Sequence, residues 1–220
     1  FDVPGGTVEA GIDQIPGSTT DWNTIQNFVS LRNDKAQIVL TSPEIPLMQL
    51  GGINTGRFQA GSTPENMHVY GWPMNNYWTT NFNADQRGEF TFSYSLTSGK
   101  DSSIEKANHF GWERRIPLLG RTLPSGTAQQ AKKAWPTQNT LIQGIPENVL
   151  VVSARILEAD NEILLHLREL GNKSSQLSIY LPECNNLQIQ ETDALGMPLR
   201  KGNPGQISPL ETKFIKLKWN

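Results

Sequence analysis

Two runs decide the fold class. They are Asn148-Val149-Leu150-Val151-Val152-Ser153-Ala154-Arg155-Ile156 and, after the turn Ala159-Asp160-Asn161, Ile163-Leu164-Leu165-His166-Leu167-Arg168. In the first run Leu150, Val152, Ala154 and Ile156 fall on one side, with the intervening residues on the other. In the return, Ile163, Leu165 and Leu167 lie opposite Leu164, His166 and Arg168. A period of two places side chains on alternate faces of a strand, so each run reads as a strand with one face in a core. Leu177, Ile179 and Leu181 continue the pattern, followed by Leu187 and Ile189. Ile215, Leu217 and Trp219 close it, opposite Phe214, Lys216 and Lys218. Turns recur at short, fairly even intervals, which predicts a β-sandwich. The lysines of the last strand suit an exposed face or an edge.

Upstream, Arg121 to Thr140 carries Pro124, Gly126, Pro136 and little apolar periodicity. It reads as a surface connector between two sheet systems, with a long excursion wrapped over one domain as the alternative. The expected division is therefore residues 1–145, a partial large β-sandwich with the connector at 121–140, and residues 146–220, a small C-terminal β-sandwich. In the first part, Gly88 to Leu96 alternates Phe90, Phe92, Tyr94 and Leu96 with Glu89, Thr91, Ser93 and Ser95. That predicts a strand with one buried and one wet face. Ser102 and Glu105 have the spacing of a capping box, so a short helix is expected from about Ser103 to Phe110. Asp21 to Val29 reads as a half-buried strand, Arg32 to Lys35 as a turn, and Gln37 to Thr41 as a strand stopped by Pro43 and Pro46. Leu47 to Ile53 is a further apolar run, interrupted by Gly51-Gly52.

Composition agrees with an all-β chain. Of 220 residues, 36% are hydrophobic and 18% charged, both low for a globular protein, and 19 Gly with 14 Pro demand frequent turns and short elements. A net charge of -2, with no Lys/Arg block, argues against nucleic acid. Cys184 stands alone, so the chain forms no internal disulfide. No apolar run reaches the length of a membrane span, so no membrane partner is expected. The opening Phe1-Asp2-Val3-Pro4 reads as a cut into a longer polypeptide.

The stretch richest in chemistry is Gly71-Trp72-Pro73-Met74-Asn75-Asn76-Tyr77-Trp78-Thr79-Thr80-Asn81. An aromatic ring covers the apolar face of a sugar, and amides donate to and accept from its hydroxyls. Asn75, Asn76, Tyr77, Trp78 and Asn81 are accordingly candidate substrate-binding residues. A packed corner between sheets, with the asparagines satisfying backbone groups, explains the same composition. His68, His109 and His166 lie far apart and show no metal-ligand spacing. No phosphate loop and no nucleophile elbow are present. Asp85, Glu89, Glu113, Glu158, Asp160 and Glu169 are the carboxylates from which a glycosidase pair would have to come. Asn172-Lys173-Ser174 matches a glycosylation sequon, a pattern common by chance.

Several pieces together resemble the C-terminal β region of glycoside hydrolase family 38, the α-mannosidases. They are Phe1 to Gly6, Asp21 to Gln26, Leu40 to Leu47 and, most strongly, Met74 to Phe82, continued by Gln86, Gly88, Phe92 and Tyr94. Leu167 to Leu170 and Glu191 to Asp193 add to them. The resemblance implies part of a galactose-mutarotase-like (super)sandwich followed by a smaller C-terminal β-sandwich domain. It also implies a partner, an N-terminal catalytic α/β domain of the same protein that holds the zinc, the nucleophile and the acid/base of a retaining mechanism. On that basis no catalytic or metal residue is expected in this chain, and carbohydrate is the expected ligand of the whole. A free-standing carbohydrate-binding module is the competing reading; an independent glycosidase is a third.

Overall fold

The computed structural model describes residues 1–53, 63–76, 81, 83–122, 139–157, 161–182, 184 and 186–219. The strands of the first half are β1 Asp2–Val3, β2 Gly6–Thr7, β3 Asn23–Thr24, β4 Val29–Arg32, β5 Gln37–Thr41, β6 Leu47–Leu50, β7 Val69–Gly71 and β8 Ser95–Gly99. Helix α1 spans Ile104–Arg115. There follow β9 Val149–Ile156, β10 Glu162–Glu169, β11 Ser175–Gln176, β12 Leu187–Thr192, β13 Gln206–Ile207 and β14 Thr212–Trp219. The described chain is thus all-β apart from one helix. It divides into two compact units, Phe1–Ile116 and Pro117–Asn220.

In the first unit two antiparallel sheets, β3-β6-β7 and β4-β5-β8, enclose an apolar layer. Ile25, Val29 and Met48 are buried there, with Leu31, Leu40, Leu50 and Val69 packed around them. The far face of β4-β5-β8 is covered by α1 through Phe28, Val39 and Ala107. Ser103, not Ser102, caps the helix, its Oγ accepting from Lys106 N–H at 3.3 Å. The helix runs five residues beyond the expected Phe110, to Arg115, whose guanidinium donates to the Gln26 carbonyl at 3.1 Å. Its buried stripe is Ala107, Asn108 and Gly111, small or polar residues that leave no apolar period to read. A Cβ at Gly111 would sit 3.0 Å from Phe28, so glycine there lets the helix approach.

Asp21 to Asn27 alternates in burial as expected, but Asn27, Phe28 and Val29 are buried in succession and the segment is not one strand. Asn23 pairs with Met48 and Ile25 N–H bonds the Pro46 carbonyl at 2.6 Å; Gln26 N–H then turns to the Asp2 carbonyl at 2.9 Å. The segment therefore passes between partners on its way from one sheet to the other. Gln37–Thr41 forms as read. Gly88 to Leu96 does not: only Ser95 and Leu96 enter a strand, and Phe90 and Tyr94 are exposed. Alternation supplies a face to bury, but a strand also needs a neighbouring backbone. Among the described residues, 88–94 has none; it is tied by side chains, with Ser93 N–H on the Glu44 carboxylate at 3.2 Å and the Tyr94 ring against Gly71.

The second unit is built on the antiparallel sheet β12-β14-β10-β9. Leu165, Leu167, Ile215 and Leu217 are wholly buried, and Leu177, Ile179, Leu181 and Ile207 close over them. Each such side chain contributes about 1.5–3 kcal/mol relative to exposure. Ile142 and Ile145 pack on this same core, so the sheet system begins on the N-terminal side of the expected junction at 145/146. Of the connector, 123–138 lies outside the described residues.

Two details of the sequence reading change here. A register shift between His166 and Leu167 places Val151 opposite Leu167, so Val149 faces the core in place of Leu150. An extra residue in one strand reverses its face. The last strand is not an edge, because β14 lies between β12 and β10. Its Lys213 is buried, with Nζ 3.1 Å from Glu191, 3.4 Å from Glu211 and 2.8 Å from the Gln206 carbonyl.

Gly144 has φ +80°, and a Cβ there would lie 1.8 Å from the Ser178 carbonyl oxygen. Gly144→Ala is expected to destabilise the second unit by more than about 2 kcal/mol, through strain and a backbone clash. Gly52→Ala, with open space around it, should change stability by less than about 1 kcal/mol. Urea unfolding of both variants checks this; equal stabilities would contradict the packing at Gly144.

Candidate functional site

The aromatic and amide stretch leaves the first unit's β3-β6-β7 sheet at a defined point. Gly71 pairs with Met48, and Trp72 N–H still bonds the Leu47 carbonyl at 2.9 Å. Pro73 then ends the ladder, since it has no N–H to give. Trp72 meets Trp22 edge to face, ring centres 4.9 Å apart at 73°. Asn76 Nδ2 donates to the Asn83 carbonyl at 3.3 Å, bracing the loop seven residues apart. Asn75 and Asn81 are exposed, Asn76 is half-buried, and Met74 is exposed beside them. Tyr77 and Trp78 lie outside the described residues.

The candidate surface therefore includes a residue that sequence reading did not connect to it. Trp22 arrives from a segment fifty residues earlier and supplies an aromatic wall beside Trp72. The signal was present in the alternation of Asp21 to Ile25, where Trp22 and Thr24 take the exposed positions. Tyr70, on β7 two residues before Trp72, has its hydroxyl 3.2 Å from His68 Nδ1. Ring faces and amide groups on one loop and one sheet can stack on a pyranose and bond its hydroxyls.

The carboxylates fall into separate structural tasks. Asp85 pairs with Arg87 at 2.8 Å, both exposed. Glu158 and Asp160 lie outside the described residues. Glu169 is buried at the end of β10, where it accepts from Asn148 Nδ2 and Gly171 N–H at 2.7 Å and from Leu210 N–H at 2.8 Å. Burial pushes its pKa up, but these bonds, with one from Lys173 N–H, outweigh it and hold the carboxyl below its ordinary value. An ionised carboxylate with its lone pairs committed to donors is a pin for three chain segments. His166 stacks on Phe214 with centres 4.5 Å apart, and burial, aided by Arg168, lowers its pKa. Among the described residues no three His, Cys, Asp or Glu side chains gather, so they do not fit a zinc site.

No protein-family model matches the chain, and no curated protein matches it in sequence. Its fold is that of an all-β region in glycoside hydrolase family 38 structures. One is an α-mannosidase from Enterococcus faecalis V583, TM-score 0.56 and 12% identity, over 94% of this chain and 22% of that one. Another is a protein of glycosyl hydrolase family 38 from Enterococcus faecalis, TM-score 0.56 and 12% identity, over 91% and 23%. The chain thus spans less than a quarter of the length of the structures it matches.

Because the folded pKa of Glu169 lies below its ordinary value near 4.5, its contribution to stability is complete above that value. It is lost as pH falls through the folded pKa. Glu169→Gln should lower Tm at neutral pH, where a neutral amide replaces an anion bonded by several donors. The gap between variant and wild type should shrink on acidification below about pH 4.5. A gap independent of pH, followed by thermal melts, would show that the carboxylate is not ionised in the fold.

Proposed function

We propose that this chain is the non-catalytic β region of an α-mannosidase-like retaining glycoside hydrolase. It supports the catalytic domain and contributes to the rim of the sugar site. The observation that carries this reading is the shared fold with the Enterococcus faecalis α-mannosidase over 94% of the chain. The quoted motifs, Met74 to Phe82 above all, support it independently. On this reading a separate α/β domain of the same protein supplies the zinc and both catalytic carboxylates. Zinc there orients and polarises the substrate. The described carboxylates suit this division, since Glu169 is committed to backbone and amide donors.

Within the aromatic and amide stretch the roles divide by exposure. Asn75 and Asn81, exposed, are the sugar-facing amides, with Tyr77 and Trp78 between them in sequence. Asn76 braces the loop through Asn83. Trp22 and Trp72 supply the aromatic wall where the stretch leaves the sheet.

Two measurements test the reading. The 220-residue chain alone should not hydrolyse an aryl α-mannoside, with or without added zinc, while the full-length protein should. Turnover by the isolated chain that disappears on mutating one of its own carboxylates overturns it. In the full-length protein, Asn81→Ala should lower kcat/KM by about 2- to 10-fold, the equivalent of one ordinary hydrogen bond, with Tm nearly unchanged. Asn76→Ala should lower Tm first. Kinetics intact in Asn75→Ala and Asn81→Ala alike would reduce the stretch to a structural corner.

A further inference from the structure

In the second unit the sheet extends further than the layer that covers it. Ala154 and Ile156 of β9 lie opposite Leu165 and Ile163, yet both are exposed, Ile156 at 69%. The layer of Leu177, Ile179 and Leu181 does not close over them. A cavity of about 320 Å³ is left at this edge of the core, open on one side. Ile163 and Leu181, both buried, form its floor, and Ile156 and Leu141 stand exposed at its mouth. Cys184 and Trp219 line it between them.

Backbone bonds fix these walls. Gln143 and Tyr180 exchange N–H and carbonyl at 3.0 Å each, which holds the 139–143 segment beside Leu181. Cys184 N–H closes a turn on the Leu181 carbonyl at 3.0 Å. Trp219 gives its N–H to the Asn161 carbonyl at 3.2 Å and accepts Asn161 Nδ2 on its own carbonyl at 2.6 Å. A pocket whose walls are already set loses little freedom when a ligand enters.

The lining selects the chemistry of that ligand. Among the described residues around the pocket there is no Asp, Glu, Lys, Arg or His. An ion placed there finds no partner, and an unpaired charge against apolar walls is costly. An indole and a thiol sulfur favour an aromatic ring, through offset or edge-on contact and through sulfur–ring contact. A cavity of about 150 Å³ holds benzene. The space here therefore takes one or two rings. Asn139 and Thr140 add an amide and a hydroxyl, the few polar groups that orient a ligand in such a site. The amide-rich 71–81 stretch suits a sugar; this pocket does not. We propose that it is a binding site for an uncharged aromatic molecule of one or two rings. The proposal stands independently of the functional reading above.

N-phenyl-1-naphthylamine, whose fluorescence rises in apolar surroundings, tests it on the 220-residue chain. The rise should saturate at one molecule per chain. Anilinonaphthalene sulfonate has the same rings with a sulfonate added, and should bind several-fold more weakly. Cys184 is the single thiol of the chain, so its alkylation by N-ethylmaleimide, read by mass spectrometry, reports on this pocket alone. Saturating N-phenyl-1-naphthylamine should slow that alkylation several-fold. Ile156→Lys and Leu141→Lys each bring a cation to an exposed position at the mouth. Each should remove the saturable rise and leave Tm unchanged. A rise that never saturates, equal affinity for the sulfonate, or undiminished alkylation of Cys184 overturns the proposal. Full binding retained by both lysine variants does the same. Probe binding that falls as the chain's own concentration rises, with a dimer seen in sedimentation, assigns the pocket to a second copy and also overturns it.

Discussion

A β-sheet has to satisfy two demands at once, a covered apolar face and a paired backbone edge. The two units meet these demands differently. In the second, Leu165 and Leu167 on β10 and Ile215 and Leu217 on β14 are sealed by Leu177, Ile179, Leu181 and Ile207 from the same unit. The central strands β10 and β14 are flanked on both sides. In the first, one face is sealed by α1 and the layer between the sheets is filled at its centre but open at β8. Hydrophobic burial is proportional to the area removed from water, so an open margin is an unrealised part of the same driving force.

Polar groups do the registering that apolar contacts cannot. Glu169 ties Asn148, the 170–173 turn and Leu210 to the end of β10. Gln37 anchors the start of α1 through the carbonyls of Asp101 and Ser103 at 2.6 and 3.1 Å. Lys213 takes a core-side position on β14, where its Nζ gathers two carboxylates and two carbonyls. Each is directional and buried, so losing one partner leaves a desolvated group behind and costs more than the bond itself is worth. Such groups carry no apolar period, and sequence reading places Glu169 among candidate acids and Lys213 nowhere.

The candidate surface shows the same division between local and distant information. The density of aromatics and amides in 71–81 was legible as it stood. That Trp22 completes the wall depended on β3 and β7 both pairing with β6. The bracing of Asn76 onto the Asn83 carbonyl could not be read from composition, in which Asn75, Asn76 and Asn81 look alike.

The sequence by itself determined the class, the strands Gln37–Thr41 and Glu162–Glu169, the inward faces of β10 and β14, and a helix following Lys100. These depend on side-chain period, proline stops and caps, all of them local. Only the tertiary structure decided that Gly88 to Tyr94 stays out of a sheet, that Asp21 to Val29 divides between partners, and that β9 changes face at a bulge. It also decided that Lys213 is buried. The physical reason is common to all four: a period of two specifies which side chains share a face, while the backbone partner, the register and the burial of that face are set by distant chain.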